Sequence, residues 1–395
     1  MRILVVAPTP FFSDRGTHIR ILEEALALEK LGHDITIATY HIGKDIRREL
    51  DTKIDVRRIL KLLFWYKKTE AGPDWQKIIL DMMLIRKTFF LARTKRPDII
   101  HGHLHEGILI GWIVQKLLFW RKIKLVADFH GSLTKEMLSH GYLKRGLKGV
   151  FGIVEKIINK LGDFAITSSW EMSEEIKKSR HDGKIETILD GTNLDSFNLK
   201  KTKEEAREEY EIPAHKFVVG YTGSLVSNKG INYFLESIPA VLKENRNVFF
   251  VIGGFPAEHA EKFIKENNLS KNDVRLISPL DYFKLPELLA CCDAVVDPKD
   301  SSVAQASGKI LNYMAAGLPI VCFDKINNRK YLGEGGYYCK EVGSEAIAQG
   351  IFYFFENENE RTKKGELNKK NAKNFSWDIP AHKINLIYNK IRPVK

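Results

Sequence analysis

Cysteine is scarce in this 395-residue chain: there are four, Cys291, Cys292, Cys322 and Cys339, with no Cys-x-x-Cys spacing and all within apolar runs. That pattern excludes a disulfide scaffold and fits reduced thiols in the core of a cytoplasmic protein. No apolar run approaches the ~18 residues of a membrane span. The opening MRILVVAP reads as a first strand, too short and too soon ended by proline for a signal peptide. No Gly-x-Gly-x-x-Gly follows that strand, which argues against a nicotinamide-dependent oxidoreductase. Zinc-finger spacing and the RRM signature are missing too. The net charge of +12, from 62 Lys+Arg against 50 Asp+Glu, therefore points to a phosphorylated substrate or an anionic membrane surface before nucleic acid.

What is present is a soluble, two-domain pattern. Hydrophobic content of 44% and charge of 28% are those of a globular protein, and 395 residues exceed one ordinary core. Short β-branched runs alternate with helical apolar patterns, beginning at Arg2 to Pro8 and continuing through Asp34 to Tyr40, Asp98 to His103, Leu125 to His130 and Phe164 to Ser169. That rhythm predicts an α/β fold with parallel sheets and right-handed crossovers. It stops at the turn DGTNLDSF and the charged segment from Asn198 to Glu211, then resumes at Phe217. The expected domains are 1–197 and 198–376, with a last helix at about Trp377 to Ile391.

Two junctions in the second half carry the same chemical logic. FVVGYTG runs into SLVSNKG, placing Gly223, Ser224 and Lys229 just before a helix expected from Ile231. In SSVAQASGKILNYMAAGLPIVCFD, Ser307 and Gly308 precede Lys309 in the first turn of another helix. A lysine there opposes the helix dipole, so it is best tolerated where an anion is shared by the ammonium and free backbone N–H groups. Two such junctions suit a diphosphate; ordinary turns with solvated lysines are the alternative.

Histidines mark the first half. His101, His103 and His105 sit two apart and on a continuing strand would share one face, as metal ligands do. The strand is expected to end at His103, and Glu106 is the one nearby carboxylate expected, so no metal is assigned. His130 ends a strand beside Gly131, where crevice residues stand; a satisfied structural histidine is the alternative. Basic and aromatic residues also cluster in this half. LLFWYKK ends at Lys68, LLFWRKIK ends at Lys124, and an apolar stripe of Leu143, Leu147, Val150, Phe151, Val154, Ile157, Ile158 and Leu161 is flanked by Lys144, Arg145, Lys148, Lys156 and Lys160. The stripe either packs on the sheet with a solvated basic face or joins the other two patches in an interfacial surface for an anionic membrane.

The Gly16 loop, PDIIHGH, DFHGS, ILDGTNLDSF, VVGYTGSLVSNKG, FFVIGG, LPELLACCDAVVDP, SGKILNYMAAGLPIV and a final FSW before a helix stand in an order that resembles family 4 glycosyltransferases (group 1) over nearly the whole chain. The resemblance implies a GT-B fold of two Rossmann-like domains facing a cleft, with the C-terminal helix crossing back to the first domain. It implies the acceptor mainly on the first domain and a nucleotide-sugar donor, UDP- or GDP-linked, mainly on the second. It also implies transfer with retention to a glycan or lipid-linked acceptor. By motif position, Lys229 resembles the family's diphosphate lysine, Gly16 the glycine beneath the phosphates and His130 the histidine near the transferred sugar. Ser224 falls where many relatives carry arginine.

Two positions depart from the pattern. The family's Glu-x7-Glu pair falls on Ala304 and Asn312, so both carboxylates are missing. An Asn312 amide can still donate and accept hydrogen bonds to ribose hydroxyls, whereas Ala304 cannot replace the carboxylate that touches the donor sugar. A catalytically weak sugar-nucleotide binder or partner subunit is therefore the second reading. No Asp-x-Asp occurs in the sequence, so lysines and helix N-termini are expected to meet the leaving charge without a metal or other cofactor.

Overall fold

The computed structural model describes residues 1–67, 74–139, 148–300 and 308–392. The expectations for Lys68, Leu143, Lys144, Arg145, Leu147, Ala304 and Ser307 lie outside these residues. The chain divides into two compact units, 1–190 with 377–395, and 191–376.

The first unit holds seven parallel strands, β1 (Arg2–Ala7), β2 (Asp34–Thr39), β3 (Asp55–Arg58), β4 (Ile99–His103), β5 (Lys124–Phe129), β6 (Phe164–Thr167) and β7 (Ile185–Thr187), in the order β3-β2-β1-β4-β5-β6-β7. Its helices are α1 (Gly16–Lys30), α2 (Trp75–Lys95), α3 (Leu104–Leu117), α4 (Leu133–Ser139), α5 (Lys148–Ile158) and α6 (Trp170–Lys177). β1 is apolar from Ile3 to Ala7 without alternation, as a strand covered on both faces must be. Side chains of β5 show which helices share a face. Leu125 joins a core cluster with Leu80, Leu84 and Val114 of α2 and α3. Ala127 and Phe129 join a second with Ile108, Ile158 and Met172 of α3, α5 and α6. Positions 125, 127 and 129 point the same way, so α2, α3, α5 and α6 form one layer.

The second unit repeats the plan with β8 (Phe217–Ser224), β9 (Val248–Phe255), β10 (Val274–Ile277), β11 (Ala294–Asp297), β12 (Ile320–Phe323) and β13 (Gly336–Cys339), ordered β10-β9-β8-β11-β12-β13. Its helices are α7 (Lys203–Glu209), α8 (Ile231–Glu244), α9 (Glu258–Glu266), α10 (Leu285–Ala290), α11 (Gly308–Ala315), α12 (Ile326–Leu332), α13 (Ser344–Glu356) and α14 (Glu358–Ala372). The last helix, α15 (Asp378–Ile391), returns to the first unit, where it packs on α1.

The structure corrects the sequence reading in two places. The division falls at 190/191 rather than 197/198, because Thr192 bridges to Ser376 and its N–H donates to the Phe375 carbonyl within the second unit. The edge strand β13 was not expected. Its four residues, GYYC, stand between glycines and helices and become a strand only by pairing along β12.

Candidate functional site

In each sheet the strand order reverses once, and ligands of open α/β sheets gather outside the C-terminal strand ends at that point. In the second unit the reversal lies between β8 and β11. β8 ends in Gly223, whose φ of 126° suits glycine alone, and in exposed Ser224. A Cβ at Gly223 would stand 3.6 Å from Lys309 Cε and 3.8 Å from Nζ. Lys309 is therefore not a solvated lysine. Its side chain is 15% exposed, its Nζ is 3.6 Å from Asp297 Oδ1, and it sits 3.9 Å from the Tyr221 ring centroid. Gly308 beside it is the exposed first residue of α11.

Lys229 closes a single 3-10 turn, Ser227–Lys229, ahead of α8. Gly230 follows with φ 78°, and a Cβ there would overlap the Pro298 carbonyl oxygen. The loops after β8 and β11 thus touch through backbone. Lys299, the residue after Pro298, is buried; burial first and the Lys229 charge second hold its ammonium down at about 7. Burial also lowers Lys325, which donates to the Asp300 carbonyl. Sequence reasoning singled out Lys229 and Lys309 but not Lys299 and Lys325, which the structure places beside them. The signal for Lys299 lay one residue past the motif ending in Asp297-Pro298. Asn312, one turn into α11, accepts the Thr192 hydroxyl on Oδ1 at 3.0 Å.

Gly16 and His130 belong to the first unit, whose reversal lies between β1 and β4. Gly16 opens α1 on the surface, with no atom within 4 Å of where a Cβ would stand. His130 follows β5, and its Nε2 is 3.0 Å from His103 Nδ1. Burial keeps His130 neutral, well below the usual imidazole range, and lowers His103 to about 4. Behind them His101 stacks on His103 with ring centroids 4.5 Å apart, and its Nδ1 is hydrogen-bonded to the Tyr388 hydroxyl of α15 at 2.6 Å.

One sequence expectation fails here. Two buried carboxylates, Glu24 of α1 and Asp128 of β5, stand with His101 and His103, all ligand atoms within 4.8 Å of one another. His105 does not join them. The strand ends at His103, and His105 on α3 lies 3.7 Å from Glu155 instead. Arg20 is the cation of the cluster: its Nη2 is 3.2 Å from Asp128 and 3.9 Å from Glu24, and its Nη1 is 2.5 Å from Asp190. Against the burial cost, the guanidinium holds Asp128 ionised, well below the carboxylate range, while burial pushes Glu24 up to about 7. This network joins residues from 20 to 388, so no local motif announces it.

The first unit matches the family model "Glycosyltransferase Family 4" over residues 15–196, and the second matches "Glycosyl transferases group 1" over 202–372. The chain belongs to the group 1, family 4-like glycosyltransferases of the GT-B fold. It is 22% identical to the D-inositol 3-phosphate glycosyltransferase of Corynebacterium aurimucosum, over 94% of this chain and 90% of that one. It is 23% identical to the putative teichuronic acid biosynthesis glycosyltransferase TuaC of Bacillus subtilis, over 82% and 81%. Among solved structures, sucrose-phosphate synthase of Thermosynechococcus elongatus superposes with a TM-score of 0.77 at 16% identity, covering 99% of each chain. HepE of Anabaena, in complex with UDP-glucose, gives 0.77 at 16% identity over 99% and 100%.

Proposed function

We propose that the protein transfers a sugar from a UDP- or GDP-sugar to a glycan or lipid-linked acceptor in cell-surface polysaccharide synthesis. We place it in the cytoplasm, acting with retention and without a metal. The observation that carries this reading is the lysine group at the reversal point of the second sheet, Lys229, Lys299 and Lys309 around Gly223 and Gly230. As the bond to the anomeric carbon breaks, charge builds on the departing diphosphate, and fixed cations beside two helix N-termini stabilise it. On the first unit, neutral His130 offers a hydrogen-bond partner rather than a charge to the sugar, and His103 orients it. HepE supplies the analogy for a uridine nucleotide, and TuaC that for teichuronic acid biosynthesis. Retention rests on the family resemblance.

Metal independence is supported by the missing Asp-x-Asp and by Arg20, whose charge already answers the carboxylates beside His101 and His103. The second reading, a weak binder or partner subunit, is favoured by Asn312 standing in a carboxylate position with its Oδ1 already engaged by Thr192. A thermal-shift panel of UDP, GDP, ADP and their sugars identifies the donor, since a ligand at 100 times its Kd adds ~2.7 kcal/mol. Donor hydrolysis or transfer with that nucleotide, unchanged by EDTA, supports the proposal. Binding without turnover selects the second reading; activity lost to EDTA and restored by Mg²⁺ or Mn²⁺ removes the metal-free account. The anomeric proton coupling of the product tests retention.

A further inference from the structure

Among the described residues, twenty-one large apolar side chains are substantially exposed, and fifteen of them lie in four segments of the first unit: 60–65, α2, 117–120 and α5. Scattered exposed apolar residues need no explanation, but this concentration does. α2 buries Leu80, Leu84, Thr88 and Leu91 against the sheet, yet its opposite face carries Trp75, Ile78, Met82 and Phe90 in the open, with Arg86 lying 5.6 Å from the Phe90 ring centroid. The spacing of 75, 78, 82, 86 and 90 is that of one helical stripe.

α5 is inverted in the same sense. Its inward group is a carboxylate, Glu155, which accepts hydrogen bonds from Ser132 Oγ and from the Leu133 and Thr134 N–H groups at the start of α4. That anchor turns Val150, Ile153, Val154 and Ile157 outward, and Ile153 is 61% exposed. Because α2, α3 and α5 share one layer, with α3 packed against both neighbours, these stripes look out from one side of the unit. Leu63 and Tyr66 enter the same core cluster as Leu80 and Leu84, which holds Phe64 and Trp65 beside α2. Leu118 in that cluster does the same for Phe119 and Trp120.

The charge on this side is predominantly positive. Segments 57–67, 75–95 and 116–124 together hold thirteen Lys and Arg and a single acid, Asp81; just outside them Asp55 pairs with Arg57 and Lys95, and Asp163 with Lys124. Asp81 is turned inward, accepting the Tyr40 hydroxyl at 2.6 Å. An apolar face with tryptophans, ringed by cations that outnumber the acids, matches an interfacial lipid surface better than a protein partner, whose interface would need acids to meet the remaining cations. No helix among the described residues is long and apolar enough to cross a membrane.

We propose that the α2–α3–α5 face is a docking surface for a bilayer containing anionic phospholipid, with apolar side chains entering the headgroup boundary and lysines and arginines holding the phosphates. This deepens the lipid-linked acceptor reading, but vesicle binding needs no donor or turnover, so each can fail without the other. The test is cosedimentation of the full chain with phosphatidylcholine vesicles, with and without 30% phosphatidylglycerol, at 0.1 M and 1 M salt.

Binding to the anionic vesicles alone is expected, falling at 1 M salt as the Debye length shrinks from ~10 to ~3 Å. Each basic residue near the surface changes partitioning about fivefold, so Arg121→Glu with Lys122→Glu should weaken it at least ~25-fold. Ile78→Asn with Met82→Asn should weaken it with the charge of the face unchanged. Quenching of tryptophan fluorescence by brominated lipid checks insertion in the unmutated protein. No binding at low salt, equal binding to both vesicle types, no quenching, or a solution dimer dissociated by Ile78→Asn would each overturn the proposal.

Discussion

Lys299 gives the most discriminating test of the proposed donor site. Its ammonium is held at about 7 by burial and by Lys229, so at pH 7.5 a group of that affinity is only ~25% charged. A diphosphate placed among these lysines restores the charge, and binding must then take up ~0.75 proton per donor. A nucleotide-sugar is the right ligand, because its diphosphate is esterified at both ends and has no proton of its own to exchange near pH 7. Calorimetric titrations in buffers of different ionisation enthalpy read the proton number directly. Between pH 7 and pH 9 donor affinity should fall roughly fiftyfold if the bound lysine stays charged. Lys299→Met keeps the length of the side chain and removes the titration, so both the uptake and most of the pH slope should vanish. Stability of the free protein has the opposite slope. From pH 7 to the unfolded lysine value the unfolded chain binds the extra proton, so stability rises with pH in the native protein and flattens in Lys299→Met. No proton uptake at pH 7.5, or the same uptake in Lys299→Met, would refute the reasoning.

Lys229→Ala should lower kcat/KM roughly a hundredfold, since it removes a cation aimed at the departing diphosphate; a loss below threefold in steady-state assays would remove that role. Glu155→Ala should cost roughly 2 kcal/mol by leaving the start of α4 without its acceptor, and should lower activity through the loop that carries His130, with Glu155→Gln less affected; unchanged stability in urea titration would count against the anchor. The four thiols are buried, with Cys291 and Cys339 each pushed up to about 12 and Cys292 and Cys322 also raised. They should react with Ellman's reagent only as fast as the protein unfolds, and rapid labelling of the native protein would contradict that burial.

The strand and helix rhythm was readable because buried parallel strands are written as short unbroken apolar runs, such as ILVVA and VFFVIGG. The lysines of the proposed donor site could be singled out where glycine beside a strand end marked the turn, as at Gly223 and Gly230. Lys299 carries no such flag: the loop that meets its backbone is that of Gly230, nearly seventy positions earlier in the chain. The carboxylates behind the histidines were hidden for the same reason. Glu24 looks like an ordinary helical acid and Asp128 like the end of an apolar strand until β4 brings His101 and His103 between them. α2 concealed its outer face differently, since a helix apolar on both sides shows no contrast to read.

The first unit is closed by a segment made after its neighbour. A nascent chain emerging at ~5–20 residues per second has completed β1 to β7 long before α15 exists, and the whole of 191–376 is synthesised in between. Until then the surface that receives Ile384, Ile387 and Tyr388 is bare, and His101 lacks its hydroxyl partner. The unit is therefore incomplete at the moment its neighbour finishes folding, and chaperone occupancy or protease sensitivity during synthesis should concentrate on that interval. A chain stopped at Ser376 would stay in that state, and supplying residues 377–395 as a separate peptide would restore it.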